Sequence, residues 1–328
     1  MKKTNNKNYV AIAVLGLLGT GVNAQNLQQN NVQAPVQEVT SERNNQTSNQ
    51  ISAIAASPTL KKIRDSGVIK LGYRQIAPIS YDVSGKAAGL AVEVCSEAIE
   101  EIKNFLDMRA IKVEHYQITS LQRIPFLQEG QIDLECGLTT NTAERRNTMA
   151  FSIPYFITGT KMLVQKANAA KFSIVNDLAG LPVATVKSTT AVKTIDTLNK
   201  QRLLNIKNIQ YENYESAIES VIKGQTKAMI LDEIILEDLK NKSSNPAALT
   251  TTGDFVSVEP LAVMMRKEKP LTDLVNKRLY NLMQSGKFEA MYQKWFKRPV
   301  APDAINYNID ISPALREVIR FPNDIVGN

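Results

Sequence analysis

Between residues 118 and 145 the chain reads ITSLQRIPFLQEGQIDLECGLTTNTAER. Three hydroxyl residues, Ser120, Thr139 and Thr140, and two arginines, Arg123 and Arg145, fall there where a helix and a strand both end. Such a place suits carboxylates, because a guanidinium fork meets a carboxylate through two parallel hydrogen bonds. The spacing predicts that Ser120 caps a helix, that Leu121, Ile124 and Leu127 line its apolar face, and that Gly130 supplies its left-handed stop. A short buried strand over residues 132–136 comes next. Leu138, Thr139 and Thr140 then form a turn expected to open a second helix that carries Arg145, bringing backbone N–H groups and a guanidinium to one spot. Open α/β sheets bind ligands at that edge.

The elements that must hold this edge alternate. Strands are predicted over residues 68–72 and 111–117, with a helix over 92–105 between them; this rhythm means α/β lobes built on parallel sheets with covering helices. A second round starts at Leu181: PVATV is a strand, Ser188, Thr189 and Thr190 open a helix ending near Leu198, and residues 206–211 form another strand. The two rounds echo each other. IPFLQEGQIDLECGL laid beside ESVIKGQTKAMILD aligns Gly130 with Gly224, and eight residues after each lie Leu138 and Asp232, both just past a strand. Two such edges facing one another make a cleft. The chain is expected to cross between lobes near residues 159–162 and to return near 256–264, giving lobe 1 from residues 58–160 plus 257–328 and lobe 2 from 161–256. Phe288, Met291, Tyr292, Trp295 and Phe296 form one apolar helical stripe within a helical segment over residues 271–296, read as docking onto the first lobe, with the tail to Asn328 along the surface.

The chain has 328 residues, a formal net charge of +7, two cysteines and one histidine. That length favours two lobes over one core. Residues 1–24 read as a secretory signal peptide, with Lys2, Lys3 and Lys7 at a basic start, an apolar segment over 10–18 and a small-residue cleavage site over 22–24. The apolar segment falls short of the ~20 residues a membrane span needs. No cysteine follows the cleavage site closely, since the first is Cys95, so the expectation is a free periplasmic protein. Without the three lysines of that segment the net charge falls from +7 to +4, too little to argue for nucleic acid. Residues 25–57, rich in Gln, Asn, Ser and Thr, cannot bury enough apolar area to offset ordering entropy and are expected to be a disordered leader. The folded part should begin with a helix capped by Ser57, with Pro58 in its first position.

The motifs ITS-x-x-RIP-x-LQ-x-G, D-x-ECG-x-TTN and the ER that follows, with SGVIKLGYR, FSIPYFITGTKML, MILDE and QKWFKRP elsewhere, resemble the extracellular solute-binding proteins of polar amino-acid ABC transporters, and within them the glutamate/aspartate-binding branch. The resemblance implies a bilobed Venus-flytrap fold, an acidic amino acid as ligand, a membrane ABC permease as partner, a monomer, no cofactor and no catalysis. Position by position, it implies that Arg145 assisted by Thr140 takes the α-carboxylate and Asp232 the ammonium, while Arg74, Ser120 and Arg123 take the side-chain carboxylate. Thr139 belongs to the same turn, and Thr190 could donate to the ligand when the lobes close. Plainer roles stand beside these: Arg145 as one more charge on a wet helix, Asp232 and Thr190 as helix caps, Arg74 as a surface ion-pair residue. Tyr81 could wall the ligand or simply pack in the core. Two positions depart from the branch. Leu138 stands where relatives carry a small hydroxyl residue, and Tyr214 where they carry a histidine, which opens the choice between glutamate, aspartate and another anionic ligand.

Cys95 on the first long helix and Cys136 at a strand end could bridge in an oxidising compartment. Neither belongs to a CxxC or to metal-spaced ligands, and the single His115 reads as a sheet-surface residue, so no metal is expected. GxSxG and Walker patterns are absent. The alternatives to a transport role are a periplasmic dehydratase-like enzyme on the same fold and a soluble ligand sensor for a receptor. Turnover of a cyclic acid would not require both an arginine for an α-carboxylate and an aspartate for an ammonium.

Overall fold

Helix α1, Ala34–Ala55, occupies most of the segment expected to be disordered. The computed structural model describes residues 34–325, with side chains from residue 45 onward; the segment expected to be a signal peptide and the start of the expected leader lie outside the described residues. Contacts set Ser48–Asn328 apart as a compact unit. The composition of the leader leaves it no core of its own, but it needs none at this end: Ile54 is buried in the core of that unit and the Gln50 amide bonds the Phe105 carbonyl.

Helix α2, Pro58–Ser66, starts as its sequence demands, with the Ser57 hydroxyl accepting from the Leu60 N–H and Pro58 in the first turn. Strand β1, Val68–Tyr73, follows, then the hairpin β2, Tyr81–Val83, and β3, Lys86–Ala88. Helix α3, Leu90–Leu106, leads to β4, Lys112–Gln117, where His115 is exposed. After helix α4, Arg123–Gln128, come β5, Leu134–Glu135, and β6, Met149–Phe151. The long strand β7, Phe156–Gln165, opens a second sheet containing β8, Pro182–Val186, β9, Lys207–Tyr211, and β10, Ala228–Asp232. Helices α5, Thr190–Arg202, α6, Tyr214–Ile222, and α7, Glu233–Lys242, cover it. The chain returns through β11, Leu249–Leu261, and β12, Met264–Arg266, into α8, Lys269–Gln284, α9, Lys287–Phe296, and α10, Pro313–Arg320.

The first sheet has the order β4-β1-β5-β12-β6 and the second β11-β7-β10-β8-β9. Both are mixed rather than wholly parallel. The parallel parts are β4-β1-β5 and β10-β8-β9, as the alternation of strand and helix requires, whereas β12 and β6, and β7 and β11, run antiparallel. The reason is that the outgoing and returning segments are themselves strands: β7 and β11 pair from Phe156 opposite Leu261 to Gln165 opposite Leu249, with a register break between Thr252 and Ser257.

The internal echo survives to the level of single hydrogen bonds. Gly130 and Gly224 both take the left-handed conformation, at φ of 72° and 70°. The N–H groups of Gln131 and Ile132 both reach the Phe126 carbonyl, as those of Gln225 and Thr226 reach the Ser220 carbonyl. Two expectations fail nearby. Ser120 does not cap α4; the turn is closed instead by Thr119 and Gln122, each backbone N–H bonding the other's side chain. No α-helix follows Thr140 either, only a 3₁₀ turn at Arg145–Asn147, because the Thr142 hydroxyl takes the Arg145 N–H and Thr140 bridges to Leu261.

The aromatic stripe packs inward. Phe156, Tyr292 and Phe296 stack with centroids 4.4–6.2 Å apart, and the chain breaks into α8 and α9 at Ser285 and Gly286 rather than continuing as one helix. Trp295 donates to Glu93 on α3, 2.6 Å away, and meets Tyr81 edge to face. Tyr81 is thereby a packing residue, its phenol donating to the Ala301 carbonyl at 2.8 Å. The tail forms α10, with Leu315 and Ile319 buried.

A disulfide joins Cys95 of α3 to Cys136 beyond β5, with Cα atoms 6.2 Å apart. It ties the covering helix to the strand whose end leads into the turn at Leu138, Thr139 and Thr140. Closing a loop over a separation of 41 residues should contribute about 4 kcal/mol in the chain-entropy picture. Denaturant titration of the Cys95→Ala/Cys136→Ala variant should therefore find a folded protein less stable by roughly that amount.

Candidate functional site

Three arginines that the sequence scatters over seventy residues come together where the two sheets meet. Arg74 follows the last residue of β1, and its backbone N–H donates to the Ser80 hydroxyl at 2.9 Å, which fixes where the side chain starts. Its guanidinium donates from Nη2 to the Tyr214 phenol at 2.8 Å and lies over that ring, 5.4 Å from the centroid. Arg123 is the first residue of α4. Its Nη1 donates to Thr139 Oγ1 at 2.7 Å and its Nη2 to the Ser188 carbonyl. Arg145, half-buried, donates from Nη1 to the Thr140 carbonyl at 2.9 Å and from Nη2 to that same Ser188 carbonyl at 3.1 Å. Arg74 and Arg123 are only 3% and 2% exposed.

Ser188 is the unexpected member. It sits in the left-handed region at φ 61°, an uncommon conformation for a residue with a Cβ, and this turns its carbonyl toward two guanidinium groups from the other sheet. Tyr214, likewise, begins α6, set there by the Asn213 side chain, which accepts from the Ser216 N–H at 2.8 Å.

Asp232 ends β10 and precedes α7, where a side-chain cap would be the plain reading. It makes no such bond. The carboxylate is buried, and burial first, then the nearby Glu259 carboxylate, push its pKa up to about 8 against the pull of Arg145 and Arg123. Arg123 is pulled down to about 9 by burial and by its neighbours Arg145 and Arg74. Thr190 is the first residue of α5, and its side chain faces the same space.

A cavity of about 10 Å³ lies between Arg123, Thr140, Arg145, Thr190, Tyr214 and Asp232, with Leu138 in its wall; that is room for about one water molecule. Arg74 and Ser120 stand on the far side of Tyr214, lining an adjoining pocket of about 390 Å³. Thr139 is fully buried, holding Arg123 from behind rather than facing the cavity. Thr140 directs its hydroxyl to Glu259 Oε2 at 2.7 Å, and Thr160 and Ser257 donate to the other oxygen of that buried carboxylate. Glu259 on the returning strand and Glu135 beneath the arginines are the charged residues that sequence reasoning passed over. The signal was there for both: each is an acid in a strand that is otherwise apolar at its buried positions. Ser188 had none. Among the described residues no group of three His, Cys, Asp or Glu could hold a metal ion.

Guanidinium donors on one wall and a buried carboxylate on the other form an environment for a small molecule carrying both charges. The sequence profile of "Bacterial extracellular solute-binding proteins, family 3" matches residues 69–298. The chain is 32% identical over 277 residues to a glutamate/aspartate import solute-binding protein of Escherichia coli K12, covering 83% of this chain and 91% of the relative. It is 31% identical over 271 residues to an L-glutamate/L-aspartate-binding protein of Pseudomonas aeruginosa PAO1, covering 81% and 89%. Among solved structures, an ancestral amino acid-binding protein described as a precursor of cyclohexadienyl dehydratase superposes with a TM-score of 0.59 at 28% identity, covering 73% of this chain and 99% of that one.

The Asp232 carboxyl has a stability consequence. Its pKa is about 8 when folded, against an ordinary 3.8, so between those values the folded chain holds a proton that the unfolded chain has released. Stability conferred by this group is present at low pH and declines toward pH 8, by ~1.4 kcal/mol per pH unit. Denaturant titrations of the ligand-free protein at pH 5 to 8 should show stability falling with pH, and Asp232→Asn should lessen the slope by that amount, leaving what the other buried acids with raised pKa values, Glu135 and Asp238, contribute.

Proposed function

This chain belongs to family 3 of the bacterial extracellular solute-binding proteins, and from that premise we propose that it captures L-glutamate or L-aspartate between its two sheets and hands it to a membrane ABC permease. The observation that carries the reading is the sharing of one Ser188 carbonyl by Arg123 and Arg145 in a cavity that also holds Asp232. A backbone carbonyl there stands in for a carboxylate oxygen. The ligand's α-carboxylate takes its place on Arg145, the ammonium pairs with Asp232, and the side-chain carboxylate takes the positions on Arg74 and Arg123 now given to Tyr214 and Ser188. Leu138 contributes no hydroxyl, and Tyr214 contributes one hydrogen bond and no charge.

Magnitudes favour a diacid. A close charge pair in a partly screened cleft is worth roughly 4 kcal/mol before desolvation is subtracted, and micromolar affinity needs only about 8 kcal/mol. Filling the Arg74 side with an uncharged amide leaves a buried cation poorly matched, so the amides bind more weakly. A head group met by both an arginine and an ammonium-binding carboxylate also supports binding over turnover.

Because β7 and β11 are the paired strands through which the chain leaves and re-enters the first sheet, they are the natural hinge, dividing residues 58–160 plus 257–328 from 161–256. The small cavity requires that hinge to open before a ligand enters, and the ligand favours the closed form only by its extra contacts there. The protein acts as a monomer in the periplasm in this reading. No helix among the described residues is long and apolar enough to cross a membrane.

Calorimetric titration with glutamate, aspartate, glutamine and asparagine tests the ligand class. Both diacids should bind more tightly than either amide; preference for the amides would remove Arg74 and Arg123 from the side-chain role. Arg145→Ala should weaken every one of the four by at least about a hundredfold, the cost of leaving a buried carboxylate unpaired. A loss below about tenfold would place the α-carboxylate elsewhere.

A further inference from the structure

Beneath the arginines lies a carboxylate that this binding scheme does not use. Glu135 ends β5 and is fully buried, and neither of its oxygens meets a hydrogen-bond partner among the described residues. Arg74 Nη1 and Arg123 Nε are likewise buried without a partner there. The three groups are close. A Cβ built on Gly137 would fall 2.4 Å from Glu135 Oε1 and 2.5 Å from Arg74 Cγ, so the carboxylate and the arginine stem close over a bare Cα from two sides.

Burial raises the Glu135 pKa, and Arg123, Arg74, the Thr139 hydroxyl and Arg145 pull it back toward the ionised form; the Tyr155 phenol, which donates to the Gly137 carbonyl, completes the surroundings. In its ionised form, which the facing cations favour, a carboxylate so enclosed and bonded to neither of them acts through its field rather than through a directed contact. Its isolation from solvent makes that field poorly screened.

We propose that Glu135 is a specificity-determining residue of the ligand site: its carboxylate cancels one of the two charges on Arg74 and Arg123, and so sets how strongly the cleft prefers an anionic side chain over the corresponding amide. This rests on the acidic amino-acid reading above. With Glu135 in place, one ligand carboxylate brings the local sum with Arg74 and Arg123 to neutrality. Without it, two positive charges would face the ligand and the preference for an anion would steepen. Glu135 also makes the ligand-free cleft possible, since Arg74 and Arg123 would otherwise be buried beside Arg145 with no anion behind them.

The test is the ratio of the glutamine Kd to the glutamate Kd, measured by calorimetry at neutral pH for the natural chain, Glu135→Gln and Glu135→Asp. In Glu135→Gln the ratio should rise by about tenfold, the scale of one poorly screened unit charge, whereas Glu135→Asp, which keeps the charge, should hold the natural ratio. An unchanged ratio in Glu135→Gln, with both ligands weakened alike, makes the residue a matter of packing and overturns the proposal. If Glu135→Gln does not fold, Arg74→Gln is compared with Glu135→Gln/Arg74→Gln; the double variant should show the higher ratio by the same factor, and equal ratios overturn the proposal. The natural chain separates the two inferences. Failure of that chain to bind glutamate sinks the ligand assignment and this proposal with it, while normal glutamate preference combined with an unmoved ratio sinks only the role of Glu135.

Discussion

Three guanidinium groups placed side by side and largely removed from water can persist only if acceptors and anions meet them on most sides. That constraint organises the centre of this molecule. Arg123 and Arg145 share the Ser188 carbonyl, Arg145 also holds the Thr140 carbonyl, Arg123 holds Thr139, and Arg74 holds the Tyr214 phenol. The bonds to Ser188 and Tyr214 cross between the sheets: the cations come from the side of the first, and Ser188 and Tyr214 from the side of the second. A ligand with two carboxylates offers the same guanidiniums stronger, charge-assisted partners, so the closed arrangement is one that a diacid can take over and strengthen.

The acids are placed with equal economy. Asp232 lines the cavity without capping α7, and an ammonium would be a favourable neighbour for it, its proton affinity being raised by burial and by Glu259. Glu259 is anchored by hydroxyls from Thr140, Thr160 and Ser257, which links the turn at Thr140 to the paired strands β7 and β11. A movement of those strands therefore reaches the arginine cluster through a short chain of bonded groups.

Much of this was legible in the sequence, and the residues say why. The repeat of Gly130 by Gly224 was readable because a left-handed helix stop leaves glycine as its mark, and the hydrogen bonds at 131–132 and 225–226 follow from it. The stripe of Phe288, Met291, Tyr292 and Phe296 was readable because helical spacing and bulk point to one buried face. Ser120 as a cap was a reasonable reading that Thr119 and Gln122 pre-empted, since either pair could close the same turn. The helix expected after Thr140 was lost to the Thr142 hydroxyl and to the bridge with Leu261, both tertiary choices that propensity cannot foresee. Ser188 was invisible because its contribution is a backbone carbonyl, and α1 was missed because, among its residues with described side chains, only Ile54 is buried in the core.

The measurement that bears most directly on the arginine cluster is a crystal structure of the complex with L-glutamate. The α-carboxylate should lie on Arg145 and the ammonium on Asp232, with the side-chain carboxylate between Arg74 and Arg123 and both the Ser188 carbonyl and the Tyr214 phenol moved off those guanidiniums. A complex in which Ser188 and Tyr214 keep their present partners while the ligand sits elsewhere, or points its side chain away from Arg74, would contradict it.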